Sequence, residues 1–176
     1  MSWLIDPSRS HIGFSVKHMM VTTVHGQFQK YSATIHLSPT DFARSRFEGE
    51  IEMASVDTGS TDRDAQLRTN ELLDVAHHPK LSFKSTRIDA KGGSRYVVRG
   101  DLTIRGITRS VALDVEYSGT SKSPSGRAVA RIAVRGTINR KDFGVSLNAV
   151  LEAGSVALGE KVKVELDIEA VDEADA

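Results

Sequence analysis

Period-two alternation of apolar and polar residues dominates this chain and constrains its fold more than any other feature. Successive side chains of a strand point to opposite faces, so alternation marks a half-buried strand. In the first run Ile12, Phe14, Val16 and His18 share one face, and His11, Gly13, Ser15 and Lys17 share the other. A second run opens with Val24, Gly26 and Phe28, then changes phase to Tyr31, Ala33, Ile35 and Leu37. That phase change predicts a bulge near Gln29–Lys30. Further runs span Phe47–Met53, Leu81–Ser85, Val98–Ile104, Val111–Tyr117, Ala128–Ile138 and Val162–Ala170, which makes eight in all. Short turn signals such as Lys91–Ser94 and Arg105–Gly106 separate several of them. Many evenly spaced strands with short connections predict an all-β antiparallel sandwich or barrel. Eight is also the strand number at which a closed barrel can hold one small ligand.

Two segments break the alternation. Residues 60–80, STDRDAQLRTNELLDVAHHPK, read as a helical insertion between the third and fourth strands. Thr61 or Asp62 caps a first turn running through Leu67, and Thr69 or Asn70 caps a second around Leu72 and Leu73. The insertion is expected to lie across one end of the barrel over residues 61–74, with Pro79 ending it. Residues 143–154, FGVSLNAVLEAG, predict a short helix before the last strand, stopped by Gly154. With 176 residues and no repeat or linker, one domain is expected over residues 1–171, followed by a frayed acidic tail at 172–176.

Composition narrows the function. Lys+Arg and Asp+Glu are equal at 23 each and form no basic run, which argues against nucleic-acid binding. Cysteine is absent, so disulfides and thiolate chemistry are excluded. The N-terminal MSWLIDPSRSH has neither a basic n-region nor an apolar h-region, and no stretch approaches the ~20 apolar residues of a membrane span. The expectation is a cytoplasmic protein without an integral membrane segment.

Three histidines spaced seven apart, His11, His18 and His25, invite a metal reading. An odd spacing reverses the face on a strand, so a continuous strand cannot gather all three. His11 and His25 point outward, and His18 is the one inward candidate. The pair His77–His78 before Pro79 reads as satisfied surface histidines. No H-x-H or H-E-x-x-H set, no G-x-S-x-G elbow and no phosphate-binding glycine motif occurs, so no metal, catalytic residue or cofactor is assigned.

The inward face is the informative one. It reads either as a filled sandwich core or as a barrel lumen. Glycines at inward positions 26, 49, 100 and 136 would leave space in a lumen, or would mark bends. An apolar lumen with room in it selects a long hydrophobic ligand.

An ordered set of short motifs spans nearly the whole chain. It begins with Trp3-Leu4-Ile5-Asp6, Ser10-His11-Ile12-Gly13-Phe14, Val16-Lys17-His18, Gly26-Gln27-Phe28 and Ser55-Val56-Asp57-Thr58. It continues with Arg63-Asp64-Ala65-Gln66-Leu67, His78-Pro79, Phe83-Lys84-Ser85, the segment from Gly100 to Thr108, and Asn139-Arg140-Lys141-Asp142-Phe143-Gly144. In this the chain resembles the YceI-like polyisoprenoid-binding family, whose members have a lipocalin-like eight-stranded antiparallel barrel. It departs at Gln66, where many members carry histidine.

The resemblance implies a non-catalytic carrier that holds an isoprenoid lipid, a polyprenyl or quinone tail, in the lumen. The expected ligand-binding residues are Phe14, Val16, His18, Phe28, Leu67, Leu72, Phe83, Leu102, Leu113, Ile132, Val134, Phe143 and Leu166. Arg63, Asp64 and Arg68 are the head-group candidates at the mouth, with a local salt bridge as the alternative for them. A lipid-modifying enzyme using His18 and a filled-core interaction protein remain alternatives. Since related barrels can pair, a homodimer stays open.

Overall fold

Every alternating run becomes a strand, and the breaks in the pattern become kinks. The computed structural model describes residues 2–18, 22–69, 72–145 and 158–175. Its strands are β1 (Ser2–Ile5), β2 (His11–His18), β3 (Thr22–Phe28), β4 (Tyr31–His36), β5 (Arg46–Glu52), β6 (Val56–Asp57), β7 (Lys80–Gly92), β8 (Arg95–Ile104), β9 (Ile107–Lys122), β10 (Ala128–Asn139) and β11 (Leu158–Asp172). All pairings are antiparallel and belong to one sheet.

Six of these strands are halves of three staves. β11 pairs with β2 through Leu166–Ile12 and with β1 through Val171–Leu4, so β1 and β2 form one broken stave. β3 and β4 pair with β2 and β1 in turn, and β6 and β5 pair with β3 and β4. Counted this way the sheet has eight staves, and the pairing of the first with the last closes the barrel. Closure encloses one face of every described strand.

The three breaks stand side by side and have local causes. Between β1 and β2, Pro7 cannot donate to a ladder, and a 3₁₀ turn (Pro7–Arg9) forms with Asp6 accepting from Ser8 N at 3.1 Å. Between β3 and β4 lies the expected irregularity at Gln29–Lys30. The Ser55 hydroxyl, from the 3₁₀ turn Met53–Ser55 of the next stave, accepts from Gln29 N at 3.2 Å and Lys30 N at 3.0 Å. The hydroxyl thus satisfies Lys30 N and shares Gln29 N with Ser55 O, which lies at 3.3 Å. The tight turn from β8 to β9 uses Arg105 and Gly106, both at positive φ (53° and 74°), the twist that two-residue hairpins favour.

The helical insertion is shorter than expected. Helix α1 covers Thr61–Leu67, and its N-cap is Ser60, whose side chain accepts from Arg63 N; neither Thr61 nor Asp62 caps it. After Thr69 the chain doubles back, with Leu73 N bonded to Leu67 O and Val75 N to Arg68 O. Geometry explains the early end. At 100° per residue, Leu67 and Leu73 would stand about 120° apart around a continuous helix, whereas the turn brings both to the barrel.

The last strand runs to Asp172, one residue into the expected tail, and a 3₁₀ turn (Glu173–Asp175) follows. The short helix expected over 143–154 lies, from residue 146 onward, outside the described residues. Before it, Arg140–Phe143 form a 3₁₀ turn closed by Gly144 at φ 73°.

Core packing divides between the two ends. At one end Trp3, Ile35, Leu37, Val98, Ala130 and Ala170 are buried around Phe42, which stacks on Tyr117 with centroids 4.5 Å apart. At the other, Met53, Leu72, Leu102, Ile104, Phe143 and Val145 pack together under the helical insertion, with Leu67, Leu73 and Val75 against them.

Candidate functional site: the barrel lumen

Between the two packed ends the barrel encloses a cavity of about 310 Å³ whose wall is apolar almost throughout. That volume lies at the lower end of the range for small-molecule sites. Along β11 the inward residues Val162, Val164, Leu166 and Ile168 are only half-buried, whereas Ala170 is fully buried. An inward apolar residue that stays accessible faces empty volume, so the lumen ends just before Ala170. The cavity separates the two readings of the inward face in favour of a lumen.

Most residues expected on the inward face line this cavity: Phe14, Val16, Phe28, Leu67, Phe83, Leu102, Leu113, Ile132, Val134, Phe143 and Leu166. Leu72 does not line it. Leu72 is buried behind the wall in the second core cluster, and its neighbour Leu73 lines the lumen instead. His18 closes β2, and its side chain lies outside the described residues. The lumen also uses residues outside the expected ligand-binding set, among them Ile12, Ala33, Phe47 and Ile51. Their place on the inward parity of β2, β4 and β5 was available as a signal.

Three of the four inward glycines do not open space as expected. A Cβ on Gly26 would overlap the Phe14 ring, one on Gly100 would overlap the Phe83 ring, and one on Gly136 would come within 2.6 Å of Leu113 Cδ2. Neighbouring side chains lie across these glycines and consume the room. At Gly49 a Cβ would first meet Ala33 Cβ and Ser32 O, both at 3.4 Å, an ordinary contact. Gly49 alone of the four faces the lumen uncovered.

Tyr31 and Arg140 reach the lumen wall, and each donates to backbone carbonyls. Tyr31 lies with its hydroxyl 3.5 Å from Pro7 O, and burial together with the nearby Asp6 pushes its pKa up. Arg140 is 8% exposed; its Nε donates to Gly159 O at 2.9 Å and its Nη1 to Val145 O at 2.8 Å. Burial pushes its pKa down, and the Glu160 charge opposes that shift.

The head-group candidates on the insertion are engaged elsewhere. Arg63 donates through Nε to Thr58 Oγ1 and through Nη2 to Thr58 O, both at 2.8 Å. Asp64 is buried and accepts from Thr58 N and Oγ1 at 2.9 and 2.6 Å. Arg68 Nε donates to Ala54 O at 3.1 Å. The three hold the insertion to the strand before it, and none lines the cavity. Nor do they form, among the described residues, the salt bridge that was the alternative for them: their partners are Thr58 and the Ala54 carbonyl. Gln66 is exposed on α1, away from the lumen wall.

The remaining histidines follow the face argument. His11 and His25 are exposed on the outer face, where they border a shallow groove with Gln27, Asp57 and Glu165. Among the described residues no three potential ligands stand close enough to hold a metal ion. His77 bonds through Nδ1 to Asp74 Oδ1 at 2.8 Å, and the His78 ring packs on Gly106. No helix among the described residues is long and apolar enough to cross a membrane.

Comparison with known proteins agrees with this architecture. A UPF0312 protein of Staphylococcus epidermidis is 36% identical over 165 residues, 93% of this chain and 94% of that protein. The crystal structure of BcnA from Burkholderia cenocepacia superposes with a TM-score of 0.82 at 24% identity, covering 94% of this chain and 98% of that one. A polyisoprenoid binding domain from Saccharophagus degradans, implicated in plant cell wall breakdown, superposes with a TM-score of 0.72 at 16% identity, covering 96% and 97%. At those identities the two structures speak for the fold alone. The YceI-like domain matches residues 3–170, nearly the full length, and the chain belongs to that family.

Proposed function

We propose that this protein is a non-catalytic carrier that holds one long isoprenoid chain, a polyprenyl or quinone tail, in its lumen. The observation that carries the reading is a closed barrel with an apolar cavity of about 310 Å³ at its centre. Each buried CH₂ contributes about 0.8 kcal/mol, so a buried five-carbon unit contributes about 4 kcal/mol of gross attraction. A few units offset the loss of translational and rotational freedom on binding, which costs about 4–15 kcal/mol. Tyr31 and Arg140 at the wall direct their polar atoms to backbone carbonyls, which fits holding a chain better than reacting with it. The polyisoprenoid binding domain with the same fold supports the choice of ligand class.

The test is native mass spectrometry of the purified protein, followed by organic extraction. The expected result is a mass increment that organic solvent removes and that is recovered as a chemically intact prenyl lipid. A protein that carries no lipid and takes none up from prenyl alcohols in detergent overturns the reading. Recovery of a modified lipid after incubation overturns its non-catalytic part.

A further inference from the structure

The described wall of the lumen carries a recess. On the β4–β5 ladder the inward pairs are Tyr31–Ile51, Ala33–Gly49 and Ile35–Phe47. The sequence of sizes is large, small, large. At the central pair the lumen reaches the sheet itself and touches Ser32, Glu48 and Glu50. Glu48 and Glu50 pair on the outside with Lys84 and Lys80, at 3.4 and 2.9 Å, so it is their backbone that the lumen meets.

The neighbour that could fill the recess leaves it open. Phe83 stands directly opposite Gly49 on β7, yet its ring lies over Gly100 of β8. One aromatic ring therefore has a glycine on each side, and it covers the one farther from the recess. Gly49 also lacks the usual reasons for a glycine. Its φ is not positive, and the atoms nearest its Cβ position are Ala33 Cβ and Ser32 O at 3.4 Å and Ala33 Cα at 3.9 Å, all at ordinary contact distance. The missing side chain serves the cavity.

We infer that the Ala33–Gly49 recess is a specificity element that accepts a methyl branch of the bound chain and so selects branched chains over straight ones. Inward pairs on a strand ladder repeat about every 7 Å, so the recess is one residue wide and takes one branch. A straight chain passing the recess leaves it unfilled and forfeits contacts there. A chain branched at this level fills it without displacing protein atoms. The inference rests on the carrier reading above, because it concerns the same lumen.

The test is competition, by native mass spectrometry, between phytanol and hexadecanol for the delipidated protein. The two alcohols share one main-chain length and differ only in methyl branches. Wild-type protein is expected to take up phytanol in preference. Gly49→Val fills the recess with a side chain suited to a strand. It should reduce the phytanol-to-hexadecanol ratio by about tenfold, the usual effect of one methyl group in a fitted pocket, while hexadecanol uptake changes less than about twofold. Ala33→Val, which fills the same recess from the partner strand, should shift the ratio the same way. Gly49→Ala should give a smaller shift and covers the case in which valine impairs folding.

Equal losses for both alcohols, or an unchanged ratio in all three variants, overturn the inference and leave the carrier reading standing. A wild-type protein that binds neither alcohol overturns both.

Discussion

The ring of Phe14 lies on Gly26, the residue directly opposite it on the neighbouring strand. The ring also meets Phe28, with centroids 5.4 Å apart and planes inclined by 39°. Glycine is the one residue that lets a cross-strand aromatic side chain lie flat against the sheet at this point. Gly26→Ala forces the Phe14 ring off its place and is expected to cost roughly 1–3 kcal/mol by overpacking. Adding Phe14→Leu, which removes the ring, should recover part of that loss. Urea unfolding of the two single variants and the double variant checks this; strict additivity would show that the two residues do not act on each other.

Arg140 ties two distant backbone positions together through separate guanidinium nitrogens, at Val145 O and Gly159 O. The planar fork of arginine suits this, whereas an ammonium is a single point donor. Arg140→Met leaves both carbonyls without this donor and is expected to lower unfolding free energy by about 2–6 kcal/mol, at about 1–3 kcal/mol for each unsatisfied buried group. Arg140→Lys should fall between methionine and wild type. A methionine variant with wild-type stability in guanidinium unfolding would show that the clamp contributes nothing.

The barrel was legible in the sequence because a period of two leaves only parity to decide. The phases of the runs at Ile12, Phe83, Val98, Val111 and Val162 settle which side faces in, and the same parity turns His11 and His25 out. Parity names a face but not what lies across it. Gly26, Gly100 and Gly136 therefore read as open space, although Phe14, Phe83 and Leu113 lean over them. How each of those side chains leans depends on its rotamer and on strands distant in sequence. The same limit applies to Arg63 and Arg68, which each donate to a backbone carbonyl, of Thr58 and Ala54, that leaves no mark in the sequence. In the insertion, turns this short carry too little periodicity to tell Leu72 from Leu73.

Asp74 sits at φ 49° and accepts from His77, beside His78 and Arg105. The hydrogen bond from His77, helped by the charges of His77, His78 and Arg105, holds its carboxyl below the usual value of 3.8 against a smaller opposing effect of burial. A carboxyl with a lower pKa in the folded than in the unfolded state adds stability above its unfolded value. That contribution is lost as pH falls through the folded value. Asparagine tolerates the same backbone conformation, so Asp74→Asn isolates the charge. Wild type should melt above the variant near neutral pH, and the difference should shrink as pH falls below the usual carboxylate value and through the lowered folded value. A melting difference independent of pH over that range would assign the effect to something other than the carboxylate.

Gly49 and Gly100 are both inward-facing strand glycines flanking Phe83, yet the same substitution should act on them in opposite directions. At Gly100 an added Cβ overlaps the Phe83 ring and comes within 2.6 Å of Lys84 O, a backbone atom of the paired strand that cannot rotate away. Gly100→Ala must therefore move either the ring or the ladder, at an expected cost of roughly 1–3 kcal/mol. At Gly49 the nearest atoms lie at 3.4 Å, and φ is compatible with any L-residue. Alanine there narrows the unfolded ensemble without straining the folded state, which stabilises by roughly 0.4–1 kcal/mol. Equilibrium unfolding of the delipidated protein is the appropriate measurement, because bound lipid would add its own stabilisation by mass action. The comparison controls for backbone entropy, since both variants gain the same methyl group in the same kind of secondary structure. Two variants of equal stability would mean that Phe83 is free to leave Gly100 at no cost. A destabilised Gly49→Ala would mean that the recess beside Ala33 is not open.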